Sequence, residues 1–298
     1  MRSLRRFMRE SGAAAGAVFI ILLVLAAAIG PLLDPLSPVA IDHAVLGQPQ
    51  PPSLAHPFGT DLLGRDELTR ILYGARVSLL VGAAAMVISF SIGIAYGAIA
   101  GAAGGLVDAL MMRFVDAMLS FPTFFLLLII AALTERFSVA MIILIIGFTA
   151  WPGLARLVRA EVLSLRERDF VVAAEALGAR WPRVIIQHLI PNALAPVIVA
   201  AAFAVGDNIL AESSLSFFGL GVQPPQPSWG NMLQDALTPQ AQQAPWMVLV
   251  PGALIVATIL AFSGIAEGIR VVLDTSIGQN VDADVVEIAP HEPAPAAG

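Results

Sequence analysis

The chain has 298 residues, of which 58% are hydrophobic and only 13% charged, with a formal net charge of −6 and a mean hydropathy of +0.83. A soluble domain carries about 25% charged residues, so this composition excludes a soluble surface of that size and places the chain in a membrane. Cysteine is absent and every basic side chain is arginine, which excludes disulfides, thiolate metal sites and the lysine-bearing phosphate loop of an ATPase.

A helix needs about 20 mostly apolar residues to span the hydrocarbon core. Six stretches meet that length: residues 13–33, 78–102, 114–133, 139–157, 193–211 and 247–265. The basic start (Arg2, Arg5, Arg6, Arg9) imitates a signal peptide, but its apolar run exceeds the roughly 7–15 residues of a signal core, so an uncleaved first span is expected. Residues 34–76 read as a proline-rich connector with a short interfacial helix near 66–73. Gly93, Gly97, Gly101 and Gly105 recur every four residues, a stripe suited to close helix packing. Pro122 and Pro152 fall inside the third and fourth spans and predict kinks, since neighbouring helices can satisfy the carbonyls a proline frees. Residues 279–298 mix acids, Pro and Ala without periodicity and predict a disordered tail. Three parts result: residues 1–77 with the first span and a loop, a core of five spans over 78–278, and the tail.

Arginine placement predicts orientation. With the amino terminus inside, twelve of the sixteen arginines lie inside and Arg65, Arg70, Arg76 and Arg136 lie outside, as the positive-inside rule requires. Both termini and residues 158–192 are then cytoplasmic. Asp108, Arg113 and Asp116 fall at the cytoplasmic start of the third span, where Arg113 and Asp116, three apart, are helical neighbours. The four histidines (His43, His56, His188, His291) show no metal-ligand spacing.

The inner segment reads RLVRAEVLSLRERDFVVAAEALGARWPRVIIQHLIPN. Its apolar positions keep a helical rhythm over residues 154–177, and Gly178 is placed to stop that helix. A second short helix starts at Trp181, with Pro182 in its first turn, and is expected to end at Leu189 ahead of Pro191. Between them lie Ala173, Ala174, Glu175, Ala176, Leu177 and Gly178, small enough on the whole to let another protein approach. Arg156, Arg159 and Arg180 flank them and can pair with carboxylates on that protein. The residues alone leave two readings open, a docking surface or a solvated loop whose arginines anchor topology.

This segment resembles the EAA loop of ATP-binding-cassette (ABC) importer permeases, E-A-A-x-x-x-G followed after nine residues by I-x-L-P. Ala173, Ala174, Gly178 and Pro191 fit; Val172 stands at the leading Glu, and His188 and Ile190 at the Ile and Leu. Phe58-Gly59-Thr60-Asp61, Gly64-Arg65-Asp66, Tyr73-Gly74-Ala75-Arg76-Val77-Ser78-Leu79 and the run from Leu215 through Gly219-Leu220-Gly221 to Ser228-Trp229-Gly230 resemble the dipeptide/oligopeptide/nickel permeases, the second ("C") permease subunit above all. The likeness covers residues 58–274. Residues 263–267 depart from the family pattern in the sixth span, while Gly268 and Arg270 fit.

The resemblance implies an all-α polytopic membrane protein with the type I ABC importer permease fold, six transmembrane helices and both termini cytoplasmic, in the inner (cytoplasmic) membrane of a bacterial cell. It implies a non-catalytic subunit with no cofactor or metal of its own, ATP and Mg²⁺ being held by two ABC ATPase subunits that dock on residues 156–191. A homologous second permease subunit completes a heterodimer, and an external solute-binding protein delivers the solute. That solute is a dipeptide or oligopeptide, or alternatively nickel or another small solute. The lipid bilayer surrounds the pair, and nucleic acid has no part. With Val172 at the leading position, docking is expected to rest on the Ala-Ala…Gly surface and its arginines.

Asp207 and Asn208 lie in the fifth span, and Glu212 one turn beyond. A carboxylate in hydrocarbon is costly and turns to the bundle interior or a wet cavity. Two roles are open to Asp207. It either lines the solute path and meets a peptide amino group, with Glu212 extending the path outward, or it caps a bend near Gly206 or pairs with a neighbouring helix. Phe217, Phe218 and Trp229 are expected at the outer surface, receiving a binding protein, plugging the outer gate or sitting at headgroup level. An ion-coupled secondary transporter is disfavoured because no inverted repeat is evident. An intramembrane enzyme is disfavoured by the missing carboxylate, His and Cys constellations.

Overall fold

A computed structural model of the chain describes residues 7, 10–33, 36–133, 138–179 and 181–288. Among these the chain is helical, without strands and with one isolated bridge between Thr60 and Asp66. Helix α1 (Ser11–Leu33) leads into an irregular stretch that ends at Asp66, whose Oδ1 caps α2 (Glu67–Ala103) by accepting the Thr69 N–H at 2.8 Å. No proline interrupts residues 67–103, so the interfacial helix expected near 66–73 is instead the first turns of α2. Helices α3 (Gly105–Leu119), α4 (Thr123–Ala132) and α5 (Val139–Arg166) follow, then the short α6 (Asp169–Ala176) and α7 (Trp181–Val184). The chain closes with α8 (Ile190–Phe217), α9 (Trp229–Asp235) and α10 (Trp246–Ile288).

Among the described residues five helices are long and apolar enough to cross a membrane, namely α1, α2, α5, α8 and α10. The bent pair α3–α4 makes a sixth if counted as one span. The exposed apolar faces agree with a lipid surround: Ile21, Leu22, Leu80, Val87 and Leu260 are all more than half exposed. The chain is a multi-pass membrane protein.

Several local expectations are corrected. Pro122 does not kink a continuous third span; α3 ends at Leu119 and α4 starts after Pro122, at 78° to it. Pro122 has an extended ψ of 120°, outside the helical range, so one helix stops before it and the next starts after it. Pro152 does lie inside α5. The rhythm over 154–177 breaks at Glu167 and Arg168, between α5 and α6, where the turn carries Val171 into a core with Val162 and Val184.

The helix begun at Trp181 does not end before Pro191. A π turn over Ile185–Leu189, with the Ile190 N–H on the Ile185 carbonyl, widens the helix just ahead of the proline. That relieves the clash of its ring with the carbonyl four residues back, and the helix runs on as α8. At the other end, α10 has its last residue at Ile288, within the segment 279–298 expected as a tail. Residues 289–298 lie outside the described residues, as does Arg136.

The core is built on α2, α5 and α8. A methyl group on Gly93, Gly97 or Gly101 would stand about 2.8 Å from side-chain atoms of Leu154, Val158 or Val162 respectively, so three members of the glycine stripe admit the apolar ridge of α5 at the same four-residue period. Gly105 is not part of that seam; it opens α3 with φ +54°. Helix α1 packs on α10, where Gly264 meets Gly12.

One end of the bundle is covered by residues 36–66 together with 218–245, here called the hood. Asp61 lies at its centre, 1% exposed. It accepts the N–H groups of Leu63 and Arg65 at 2.9 Å and the Arg65 Nε–H at 2.5 Å, and it also pairs with Arg70. Both arginines continue to Asp235 of α9, at 2.9 and 2.8 Å. Buried charges need this degree of pairing to be tolerated.

Candidate functional site

The bundle end opposite the hood carries α6 and α7. Helix α6 stops in a Schellman arrangement: Gly178 takes φ +82°, and the Ala179 N–H reaches back to the Ala174 carbonyl at 3.0 Å. The turn projects Leu177, which is 90% exposed. Ala173, Ala176 and Gly178 are exposed and Ala174 is half-buried. A Cβ on Gly178 would meet nothing within 4 Å. Beneath this surface Val171, Val184 and Leu189 are fully buried against Val158, Val162 and Val197. Arg166 lies over the Trp181 ring at 4.9 Å, and Phe170 lies beside His188 with centroids 6.4 Å apart. The result is a firmly seated apolar knob. Glu175 contributes to the α6 backbone, Pro191 is exposed in the first turn of α8, and Arg180 lies outside the described residues.

Arg156 and Arg159 are not on that knob. They belong to α5 and are engaged inside the chain, Arg156 with Asp116 and Arg159 with Asp108 through two bonds of 2.9 and 2.5 Å. Asp116 therefore serves Arg156 rather than its helical neighbour Arg113. The Tyr96 hydroxyl adds a 3.0 Å bond to the Met111 carbonyl, and its ring lies 4.7 Å from that of Trp151. Together these contacts clamp α3 onto α2 and α5.

A second feature runs along α8. Three cavities follow one another on this helix, of about 460, 300 and 290 Å³. The first is lined by Pro196 and Val199 of α8, Glu161 of α5 and Glu267 and Arg270 of α10. Phe203 is a shared wall of the first and second, and Asp207 of the second and third. Ala150 and Gly153 of α5 also border both the second and the third. Asp207 is exposed, and among the described residues it has no hydrogen bond or ion pair. Helix α8 passes Gly206 without interruption, so no capped bend occupies the carboxylate.

Its neighbours are engaged within the chain, Asn208 at the wall of the third cavity and Glu212 away from it. Asn208, 3% exposed, donates to the Gly82 carbonyl at 3.3 Å. Glu212 is fully buried and accepts from Ser78 Oγ at 2.8 Å and Ser216 Oγ at 2.7 Å. It ties helices together and does not open onto these cavities.

The aromatic trio divides. Trp229 is fully buried, not exposed as expected; its indole N–H points to the Ile71 carbonyl at 3.3 Å. Gly74 lies against it, and a methyl there would come into ordinary contact with Ser228 and Trp229 at 3.4 Å. Phe218 is 57% exposed and packs edgewise on Phe217 and against Phe124 of α4. Sequence reasoning missed the Asp61–Arg65–Arg70–Asp235 network. Its one local signal was the i,i+4 spacing of Asp61 and Arg65; the partner at 235 has none.

Comparison with known proteins gives a consistent pattern. Residues 93–278 match the family described as binding-protein-dependent transport system inner membrane component, and residues 1–52 match the N-terminal TM domain of oligopeptide transport permease C. The chain is similar to the oligopeptide transport system permease protein OppC of Haemophilus influenzae, 39% identical over 91% of this chain and 86% of that protein. It is similar also to two dipeptide transport system permease proteins DppC. That of Bacillus subtilis is 38% identical over 92% of this chain and 84% of the relative. That of Alkalihalophilus pseudofirmus is 40% identical over 91% and 88%. By their names these relatives are transport components rather than enzymes.

Proposed function

The chain belongs to the family of binding-protein-dependent transport system inner membrane components, and from that premise we propose that it is the permease subunit forming half of the translocation pathway of an ATP-driven peptide importer. The single observation that carries the reading is the series of cavities along α8, which share Phe203 and Asp207 in their walls. A homologous second permease subunit closes the other side of that path. Peptide as the solute is supported by the names of the relatives, oligopeptide and dipeptide permeases.

The α6 turn is the dock for an ATPase subunit. Leu177, Ala173, Ala176 and Gly178 offer an apolar projection with a rigid base, and a rigid base is what transmits the closure of an ATPase dimer as a hinge or shear of packed helices. Arg180 and Pro191 follow it in sequence. Arg156 and Arg159 act behind it by holding α3 to α5. The α6 end then faces the cytoplasm, both termini are cytoplasmic, and the hood, with exposed Phe218, faces the solute-binding protein outside the inner membrane. ATP and Mg²⁺ are bound by the ATPase partners, and this chain holds no cofactor.

The test is reconstitution. The chain is co-expressed with its permease, ATPase and binding-protein partners, purified by a tag on this subunit and placed in proteoliposomes. Co-purification of both ATPases and peptide uptake that requires ATP and binding protein are expected. Uptake that survives ATP depletion but collapses on dissipating the ion gradients would replace this reading with ion-coupled transport.

A further inference from the structure

Asp207 occupies an unusual position for a carboxylate on an apolar helix. It lies ten residues before the end of α8, roughly 15 Å along the axis from its hood end, and so within the span. A charged group at that depth is retained when it faces water, a partner or a ligand. Around it Thr123 adds one neutral hydroxyl to the third cavity, and three further polar side chains are already committed. Ser89 donates to the Met86 carbonyl at 3.0 Å, Thr149 to the Ile145 carbonyl at 2.8 Å, and Asn208 to the Gly82 carbonyl. Much of the remaining wall is apolar, with Phe90, Leu157 and Phe203 on one side and Leu127 and Ile146 on the other. The carboxylate therefore supplies the uncommitted charge where the second and third cavities meet.

Resting on the function proposed above, we infer that Asp207 is the ammonium subsite of the pathway, the point within the membrane at which the amino terminus of a passing peptide is recognised. The donor set selects the ligand class. A divalent cation wants about four to eight oxygen or nitrogen donors in a defined geometry. Here one carboxylate stands with an amide that is already bonded, while Glu212 is enclosed among serines and Glu161 and Glu267 line a separate cavity. One carboxylate in an apolar neck suits a single ammonium, with which it makes a charge-assisted hydrogen bond. The amino terminus is also the cation that peptides share whatever their side chains, so one acid serves a mixed set of sequences. The small side of the neck, Ala150 and Gly153, leaves room for a side chain to pass.

The experiment uses the whole reconstituted importer with saturating, preloaded binding protein, so that the preference of the binding protein drops out. Uptake of a radiolabelled neutral dipeptide and ATP hydrolysis are measured together for the wild type, Asp207→Asn and Asp207→Glu. Expected for Asp207→Asn is normal assembly, ATP hydrolysis within about twofold of wild type and peptide uptake per ATP reduced roughly tenfold or more, the worth of one charge-assisted bond. Asp207→Glu is expected to recover at least half of the uptake, because the charge returns on a longer arm. Unchanged uptake by Asp207→Asn overturns the inference. So does loss of assembly or of ATP hydrolysis with no recovery by Glu, which would make Asp207 a salt-bridge partner of the second permease subunit. A wild type that takes up nickel and no peptide, or that binds no ATPase, instead removes the functional reading beneath it.

Discussion

Glu212 accepts a 2.8 Å hydrogen bond from Ser78, and the same Ser78 oxygen accepts the backbone N–H of Trp229 at 3.4 Å. On the other carboxylate oxygen Ser216 repeats the pattern, donating to Glu212 at 2.7 Å and accepting the Val222 N–H at 3.0 Å. One buried acid thus ties α2 and α8 to both ends of the segment that leads into α9. Glu212→Ala leaves three buried hydroxyls, those of Ser78, Ser213 and Ser216, without this acceptor and is expected to cost about 2–3 kcal/mol. Glu212→Gln, which keeps one acceptor oxygen, is expected to lose about half as much. Thermal unfolding of the detergent-purified complex reads both, and an alanine variant as stable as the parent would refute the assignment.

The same residues show what was legible beforehand. Apolar length and arginine asymmetry are properties of each segment alone, so the long spans were readable without partners, and Gly178 announced the end of α6 because a left-handed turn there needs glycine. Trp229 and Glu212 were misplaced for the converse reason. An aromatic beside Gly and Pro, or an acid near a helix end, looks exposed until a second segment covers it, and the covering residues Ile71 and Ser78 lie more than 130 positions away. The partners of Arg156 and Arg159 were hidden likewise, since Asp116 and Asp108 become their neighbours only after α3 folds back on α5. Pro122 and Pro152 look alike in sequence, yet one ends a helix and the other passes through it.

Gly178 separates strain from docking. Any side chain there bears the left-handed backbone, about 1–2 kcal/mol, but within this chain a Cβ meets nothing. Gly178→Ala and Gly178→Leu are therefore expected to lose similar, small amounts of stability. If α6 docks an ATPase, the leucine variant alone should lose most of the peptide uptake per ATP. Equal coupling in the two variants would move the contact elsewhere.

The Arg159–Asp108 pair, with side chains 33% and 12% exposed, holds α3 to α5 behind that dock. Asp108→Arg is expected to lower the unfolding temperature and weaken coupling, the lost pair being worth about 1 kcal/mol after solvent screening. Adding Arg159→Asp restores opposite charges and should recover more than half of both losses. A double variant no better than the single one would show that the pairing itself does not matter.

Within the hood, Asp61 and Asp235 accept from the same two arginines, yet their substitution should differ. Asp61 is 1% exposed and also receives two backbone N–H groups. Asp61→Ala leaves Arg65 and Arg70 in a nearly dry site with only the part-exposed Asp235 between them, and breaking a buried pair this way costs about 3–5 kcal/mol. Asp235 has a side chain 37% exposed, so water replaces much of its contribution and Asp235→Ala should cost about 1 kcal/mol or less. Limited proteolysis of the hood, read with the unfolding temperature, distinguishes them: Asp61→Ala should open the segment to cleavage at temperatures where Asp235→Ala still protects it. Matching sensitivities would mean that Asp61 is not the anchor on which the loop, α2 and α9 converge.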